Sequence, residues 1–341
     1  MFKLAINASG RSQGYYPPSS SSMIWAEPGA ICDFTGRAGI PTGFIEVKSF
    51  IEAAQEAKAK RLYIQRSFAL GDTLLAIPVV RALEKMGWEC YLRASNRYAS
   101  IMPMLDIKYE PLSGHAKVGD VGLVTDWLIE RDHVDPELSK LHRAMVYAAA
   151  VGIDIPREEM DWGMDISRLP DVPNITDKPF VVFQSQGGND RKKLAMDSVI
   201  AIGKRLSADG IKVYHIGPPD GLAREVTGME HLASKLTLPQ LFSLIARAFC
   251  VVTMDSAPLW ISHFTTTPVI AILGPTSWEQ RLTLHPLYPD GVRGIQLEKR
   301  IGCATCAERA EKCNGKMDCL SKADPEKLAE TVFACVAEFR T

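Results

Sequence analysis

Residues 249–277 read FCVVTMDSAPLWISHFTTTPVIAILGPTS, and this stretch decides the fold. It holds two short apolar runs, Cys250-Val251-Val252 and Val269-Ile270-Ala271-Ile272-Leu273. Both are rich in β-branched residues and end in turn residues, so each reads as a buried strand. The first ends at Asp255-Ser256-Ala257-Pro258 and the second at Gly274-Pro275-Thr276. In an open parallel sheet, ligands sit outside the carboxyl ends of the strands, where loops and helix N-termini offer backbone N–H groups. Asp255, Ser256 and Thr276 suit a sugar or a phosphorylated ligand there. Taken alone, Asp255 and Ser256 suit a helix cap equally well.

The same alternation extends to both sides. Upstream lie a strand at 180–184 ending in Ser185-Gln186-Gly187-Gly188, a helix at 196–208, a strand at 211–216 and a helix at 238–248 capped by Thr237. Downstream, Asp324 as N-cap and Pro325 at the first position open a last helix. Before residue 168 come a helix at 49–60, a strand at 61–66, the loop Ser67-Phe68-Ala69-Leu70-Gly71 and a helix from Asp72 to about Lys85 that contains Pro78. Strands at 89–93 and 107–111 and a helix at 137–150 follow. Repeated β–α alternation implies parallel sheets with helices on both faces. Residues 168–179 carry three prolines without periodicity and read as an interdomain linker. Residues 1–48 read as loop and Gly-rich turns, and no chemistry is assigned to them.

Composition sets outer limits. A chain of 341 residues defaults to two domains. Its net charge of −1 gives no case for bulk nucleic-acid binding. No apolar run approaches the ~20 residues of a membrane helix, which leaves only peripheral membrane contact open. The start Met1-Phe2-Lys3-Leu4-Ala5-Ile6-Asn7 is too short for a signal-peptide core, so a cytoplasmic chain is expected. Of eight cysteines, Cys303, Cys306, Cys313 and Cys319 fall within seventeen residues. In a reducing compartment this argues for metal before disulfides.

Four thiolates from one short segment can close a tetrahedral shell, so one structural metal is expected there, zinc by default and iron as a second fit. Four free thiols are the alternative. Cys32, Cys90, Cys250 and Cys335 are scattered and read as core.

The ordered landmarks carry a resemblance. Gly71-Asp72-Thr-Leu-Leu-Ala-Ile-Pro78-Val-Val-Arg-Ala-Leu83 resembles the N-domain signature of glycosyltransferase family 9, the ADP-heptose heptosyltransferases. Lys192-Lys193-Leu194 is similar to its K-x-W segment. Asp255-Ser-Ala-Pro-Leu-Trp260, Pro268 and Gly274-Pro275-Thr276 resemble its D-S-G-P-x-H…P…G-P-T block. The resemblance spans residues 61 to about 325 and implies the GT-B fold: two Rossmann-like, doubly wound parallel-sheet domains facing across a cleft. The domains would be a 49–170 acceptor domain, with residues 1–48 packed on it, and a 178–325 nucleotide-sugar donor domain. Helix 326–341 would return to the N-domain.

The resemblance also implies inverting transfer of a sugar, heptose from ADP-heptose, to a hydroxyl of a glycan or protein. One displacement needs a base for the acceptor's proton, and Asp72 is the expected one; helix N-cap is its other role. Basic side chains and helix N-termini, without a catalytic divalent ion, would stabilise the leaving diphosphate. Lys192, with Lys193 the less favoured neighbour, is expected to supply that contact. Gly71, Ser185, Gln186, Gly187, Asp255, Ser256, Trp260 and Thr276 complete the expected donor set. The family's cysteine cluster is associated with iron in its autotransporter heptosyltransferases. A homo-oligomer is compatible with the resemblance.

Two positions depart from the pattern. Ala257 adds a methyl where the family has Gly, and Trp260 replaces a His. His263 lies one turn on, on the same helix face or in the core. Three readings follow: a heptosyltransferase, the same enzyme class acting on a protein side chain or a modified nucleobase, and a non-catalytic nucleotide-sugar-binding scaffold. An intact Asp72 and Lys192 argue against the last.

Overall fold

The computed structural model describes the chain except residues 1–3, 10, 12, 16–23, 34–39, 43, 127–136, 188–191, 218–227, 233–234, 298–318 and 341. It divides into two compact units, Met1–Trp162 and Gly163–Thr341.

The first unit runs β1 (Leu4–Asn7), β2 (Gln13–Tyr15), β3 (Ile24–Ala26), β4 (Ala30–Asp33), β5 (Phe44–Val47), α1 (Phe50–Glu56), β6 (Leu62–Arg66), α2 (Leu70–Lys85), β7 (Cys90–Ala94), β8 (Tyr109–Pro111), β9 (Val121–Val124) and α3 (Arg143–Val151). Its seven-stranded sheet has the order β5-β1-β4-β9-β6-β7-β8. The pairs β4–β9, β9–β6, β6–β7 and β7–β8 are parallel, as the alternation predicts. Strand β1 runs antiparallel to both β4 and β5.

Residues 1–48 are therefore not an appendage on the sheet, as expected, but supply three of its strands. Ala5, Tyr15, Ala26, Ala30, Cys32 and Phe44 share one core with Tyr63, Tyr91 and Val124. The Asn7 side chain ties the end of β1 to this layer by donating to the Arg11 and Ala26 carbonyls, 2.9 Å each. Runs as short as LAIN, AICD and FIEV carry too little periodicity to register as strands.

The second unit runs β10 (Phe180–Gln184), α4 (Met196–Ala208), β11 (Lys212–Ile216), β12 (Met229–His231), α5 (Leu238–Arg247), β13 (Cys250–Met254), α6 (Ala257–Thr265), β14 (Val269–Leu273), α7 (Glu279–Leu282), β15 (Val292–Gln296) and α8 (Pro325–Glu338). Its six strands, order β12-β11-β10-β13-β14-β15, are all parallel. Thr237 and Gln240 form a full capping box at α5, and the Asp324 carboxylate accepts from Lys327 N at α8.

Helix α8, which the resemblance expects to return to the N-domain, packs on α4 of the second unit. Its Leu328, Ala329, Val332 and Val336 are buried in one core with Val199, Ile202 and Leu206 of α4. Burial stabilises each of the larger side chains there by ~1.5–3 kcal/mol, so the stripe is already satisfied within its own unit. Among the described residues no helix is long and apolar enough to cross a membrane. Cys32, Cys90 and Cys250 are buried as expected, and Cys335 packs half-buried on the core.

Candidate active site

In the first unit, the carboxyl end of β6 and the start of α2 build a carboxylate–guanidinium cluster. Ala69 is the N-cap of α2 at φ 64°, ψ 111°, with no side-chain cap. Such a conformation costs a non-glycine residue ~1–3 kcal/mol and persists only where its surroundings hold it. Gly71 and Asp72 lie in the first turn, so Asp72 is not the cap.

The Asp72 carboxylate turns to Arg66, whose Nη2 donates to Oδ2 at 2.7 Å. On its other side Arg143 Nε lies 3.6 Å from Oδ1. The Tyr147 hydroxyl donates to the Asp72 carbonyl at 2.7 Å. Arg66 is fully buried. Its Nε donates to Phe68 O at 3.0 Å and its Nη1 to Thr125 O at 3.1 Å, with the Phe68 ring 4.5 Å from Cζ. Asp126 Oδ1 stands 3.8 Å from Arg66 Nε and accepts from the Ser67 backbone N–H. A buried guanidinium without partners would cost several kcal/mol, and these acceptors meet that demand. Two cations beside Asp72 favour its ionised form.

In the second unit the carboxyl ends of β10, β13 and β14 carry the expected donor residues. Asp255 is buried between Arg281 Nε at 2.9 Å and Lys192 Nζ at 3.2 Å; Arg281 itself is fully buried. Lys192 comes back to β10 through a short hairpin. Leu194 N donates to Ser185 O at 3.0 Å, Gly187 N to Lys192 O at 2.7 Å, and Gln186 bridges to Lys193. A Cβ on Gly187 would lie 2.2 Å from Lys192 Cβ, so only glycine lets this lysine pass.

Ser256 holds the N-cap position of α6, yet makes no cap bond. Its hydroxyl donates to Gln184 Oε1 at 2.8 Å, and the Thr253 hydroxyl meets the same oxygen at 3.0 Å. The capping role is thus excluded for both Asp255 and Ser256. Thr276 Oγ1 is buried, with no hydrogen-bond partner among the described residues. Ser185 Oγ lies 2.9 Å from His215 Nε2, and His215 Nδ1 lies 3.3 Å from His231 Nδ1. Burial, with His231 beside it, pushes His215 down to about 4, so it is neutral at pH 7. Beside these strand ends Gln184, Ile216, Gly217, Leu232, Thr237 and Pro258 line a pocket of about 320 Å³. Its apolar walls with a few polar groups suit a planar heterocycle.

Trp260 stands apart from this set. It is only 3% exposed, its ring 5.3 Å from that of His263. His263 is a core histidine, its Nδ1 3.0 Å from Leu259 O and its ring 4.6 Å from that of His285. The first turns of α6 thus direct Trp260 inward, because this helix is buried nearly all round. Cys303, Cys306 and Cys313 lie outside the described residues. Cys319 is half-buried, with its Sγ 2.7 Å from where a Cβ on Gly274 would stand. Among the described residues no group of three or more metal-ligating side chains comes together.

Sequence reasoning missed Arg66, Arg143, Tyr147, Gln184, His215 and Arg281. For Arg66 a signal existed: an arginine closing a five-residue buried strand must find acceptors. Arg143 and Arg281 reach their carboxylates only through tertiary packing.

Comparison with known proteins bears on the whole arrangement. Residues 113–316, more than half the chain, match the family model for glycosyltransferase family 9 (heptosyltransferase). A search of curated proteins finds no match. Among solved structures, the iron-containing dodecameric glycosyltransferase TibC from enterotoxigenic E. coli H10407 superposes with a TM-score of 0.61 at 14% identity, over 98% of this chain and 92% of that one. TibC in complex with ADP-D-beta-D-heptose gives 0.60 at 15% identity, over 98% and 94%. The E. coli heptosyltransferase WaaC with ADP gives 0.54 at 15% identity, over 82% and 99%. The fold of two parallel-sheet units is that of these enzymes, and the chain belongs to glycosyltransferase family 9, the heptosyltransferase family.

Proposed function

We propose that this glycosyltransferase moves heptose from ADP-heptose to an acceptor hydroxyl with inversion, Asp72 acting as general base and Lys192 meeting the leaving diphosphate. One observation supports it above the rest: Asp72 takes a 2.7 Å bond from a fully buried arginine and does not serve its helix as a cap. In the step, the acceptor oxygen bonds to the anomeric carbon while its proton passes to Asp72. The bond from that carbon to the diphosphate oxygen breaks, and the electron pair leaves with ADP. Lys192, already paired with Asp255, and the α6 N-terminus, which has no side-chain cap, offer charge and N–H groups to that oxygen. Ser185, Gln186, Gly187, Ser256 and Thr276 would line the diphosphate and sugar, and the pocket beside Gly217 would take the base. Trp260 is given no ligand contact. Its burial also weakens the scaffold reading, since the departure from the family's His lies in the core.

Cys303, Cys306, Cys313 and Cys319 would hold one iron or zinc. Four thiolates fill a tetrahedral shell, so the metal would serve local structure and leave no open position for chemistry. Cys319 against Gly274 would tie that site to the β14 loop. The likeness to dodecameric TibC supports a homo-oligomer, and sedimentation tests it.

A panel of nucleotide diphosphate sugars tests the reading, with donor hydrolysis as an acceptor-free assay. ADP-heptose is expected to turn over. Asp72→Asn should keep donor binding and lower turnover by ~10²–10⁴-fold, the usual weight of a general base. Wild-type turnover in that variant would refute the base assignment.

A further inference from the structure

We propose that Arg143 is a positioning residue of the transfer reaction: with Arg66 it fixes the Asp72 carboxylate and sets the lowest pH at which that base works. The proposal rests on the reading of Asp72 as the base.

The two carboxylate oxygens are held from different elements. Oδ2 takes the 2.7 Å bond from Arg66, a residue that cannot swing away without leaving the Phe68 and Thr125 carbonyls unpaired. Oδ1 faces Arg143 Nε at 3.6 Å, close enough for an ion pair and too long for a hydrogen bond. Arg143 opens α3, and Tyr147 stands one turn later on the same face, its hydroxyl on the Asp72 carbonyl. Helix α3 therefore grips Asp72 by both its side chain and its backbone. Helix α2 does not need this grip, because Thr73 N and Oγ1 already close its first turn onto Ala69 O.

Among the described residues, the charged and titratable groups facing Asp72 include Arg66 from β6, Arg143 and Tyr147 from α3, and Tyr98 from the turn at Asn96–Ile101, which feels both Asp72 and Arg66. Asp126 stands behind Arg66. An opposite charge at 4–6 Å lowers a carboxyl pKa by ~1–3 units. Arg66 is anchored by the Phe68 and Thr125 carbonyls and shared with Asp126, whereas Arg143 can be replaced without emptying that buried site, so its removal is the perturbation Asp72 should register. Losing it raises the carboxyl pKa and moves the acid limb of the rate to higher pH.

The experiment uses the full chain. The Asp72 side-chain carbon is followed by ¹³C NMR from pH 3 to 8 and assigned by its loss in Asp72→Asn. The pH profile of ADP-heptose hydrolysis is recorded alongside. In Arg143→Met both the titration midpoint and the acid limb should rise by ~1 unit, and Arg143→Lys should restore most of it. Arg143→Gln serves in the same way if the Met variant does not fold. Unmoved midpoints in these variants would overturn the proposal while leaving the base standing; a moved midpoint with an unmoved acid limb would overturn both the proposal and the base. Wild-type turnover in Asp72→Asn would overturn the base and this proposal with it.

Discussion

Gly187→Ala puts the donor-side argument at risk with a single methyl group. The added Cβ would sit 2.2 Å from Lys192 Cβ, 3.0 Å from Cδ and 3.1 Å from the Lys192 carbonyl oxygen. The nearest of these atoms is fixed to the backbone, so a rotamer change cannot relieve the clash, and the hairpin must open. Overpacking of this kind costs ~1–3 kcal/mol. Opening also breaks the 2.7 Å bond from Gly187 N to Lys192 O, a loss of ~0.5–1.5 kcal/mol. A total of ~2–4 kcal/mol should lower the melting temperature by ~5–15 °C for a unit of this size.

Opening the hairpin also carries Lys192 away from Asp255, its partner at 3.2 Å. If Lys192 meets the diphosphate, one charge-assisted contact of ~1.5–3 kcal/mol is lost, which weakens ADP binding by ~10–150-fold. Calorimetric titration with ADP, beside Lys192→Met and a thermal melt, reads both effects. Wild-type ADP affinity in Gly187→Ala, with weak binding in Lys192→Met, would refute the idea that the hairpin sets this lysine's place. Wild-type affinity in both would remove Lys192 from the donor site.

Trp260→His should lose stability, as a large buried side chain is replaced by a smaller polar one, by ~2–4 kcal/mol. It should leave nucleotide-sugar preference unchanged, and a switch of donor would show that Trp260 reaches the ligand. Elemental analysis of protein purified without added metal should find near one iron or zinc per chain; four titratable thiols and no metal would dismiss the cluster. Burial pushes His215 and His285 down to about 4 from 6.5. Below pH ~6.5 the unfolded chain then binds protons that the folded chain refuses, so stability is full above that pH and falls towards pH 4, by up to ~1.4 kcal/mol per unit for each group. Urea unfolding at pH 7.5 and 5 checks the slope, which His285→Asn should reduce; an identical slope would mean that His285 takes its proton in the fold.

Strands β10, β13 and β14 of the second unit were legible because they are five-residue apolar runs buried on both faces, a pattern that survives without tertiary context, whereas β12 and β15 are less buried and went unread. Its helices announce their ends through Thr237 and Asp324. The first unit was legible from α1 onward, with β9 unread. Strands β1, β4 and β5 span four residues each and pair with partners distant in sequence, so neither alternation nor turn chemistry marks them. The same limit hid the functional partners. Asp72 and Lys192 carry motifs, whereas Arg143 and Arg281 meet their carboxylates only because the chain folds back over 71 and 26 residues. The burial of Trp260 was hidden for a related reason. Its distance from Asp255 gives a turn of helix, but only packing decides which side of α6 faces the core.

The two carboxylates also explain how a chain of net charge −1 can hold a diphosphate. Each stands at a strand end against one fully buried arginine, Arg66 for Asp72 and Arg281 for Asp255, and against a second cation that is less buried. Among the described residues the first cluster includes a further carboxylate, Asp126, which offsets part of the charge of Arg66. Among the described residues the second sets Arg281 and Lys192 around Asp255. On the proposed reading a diphosphate would meet Lys192 beside Asp255 in the second unit, and Asp72 would take the proton in the first. Coulomb attraction between partly desolvated groups at 3–4 Å is worth several kcal/mol, far more than a uniform surface charge contributes through salt. The proposed roles of Lys192 and Asp72 therefore rest on local pairing and not on net charge.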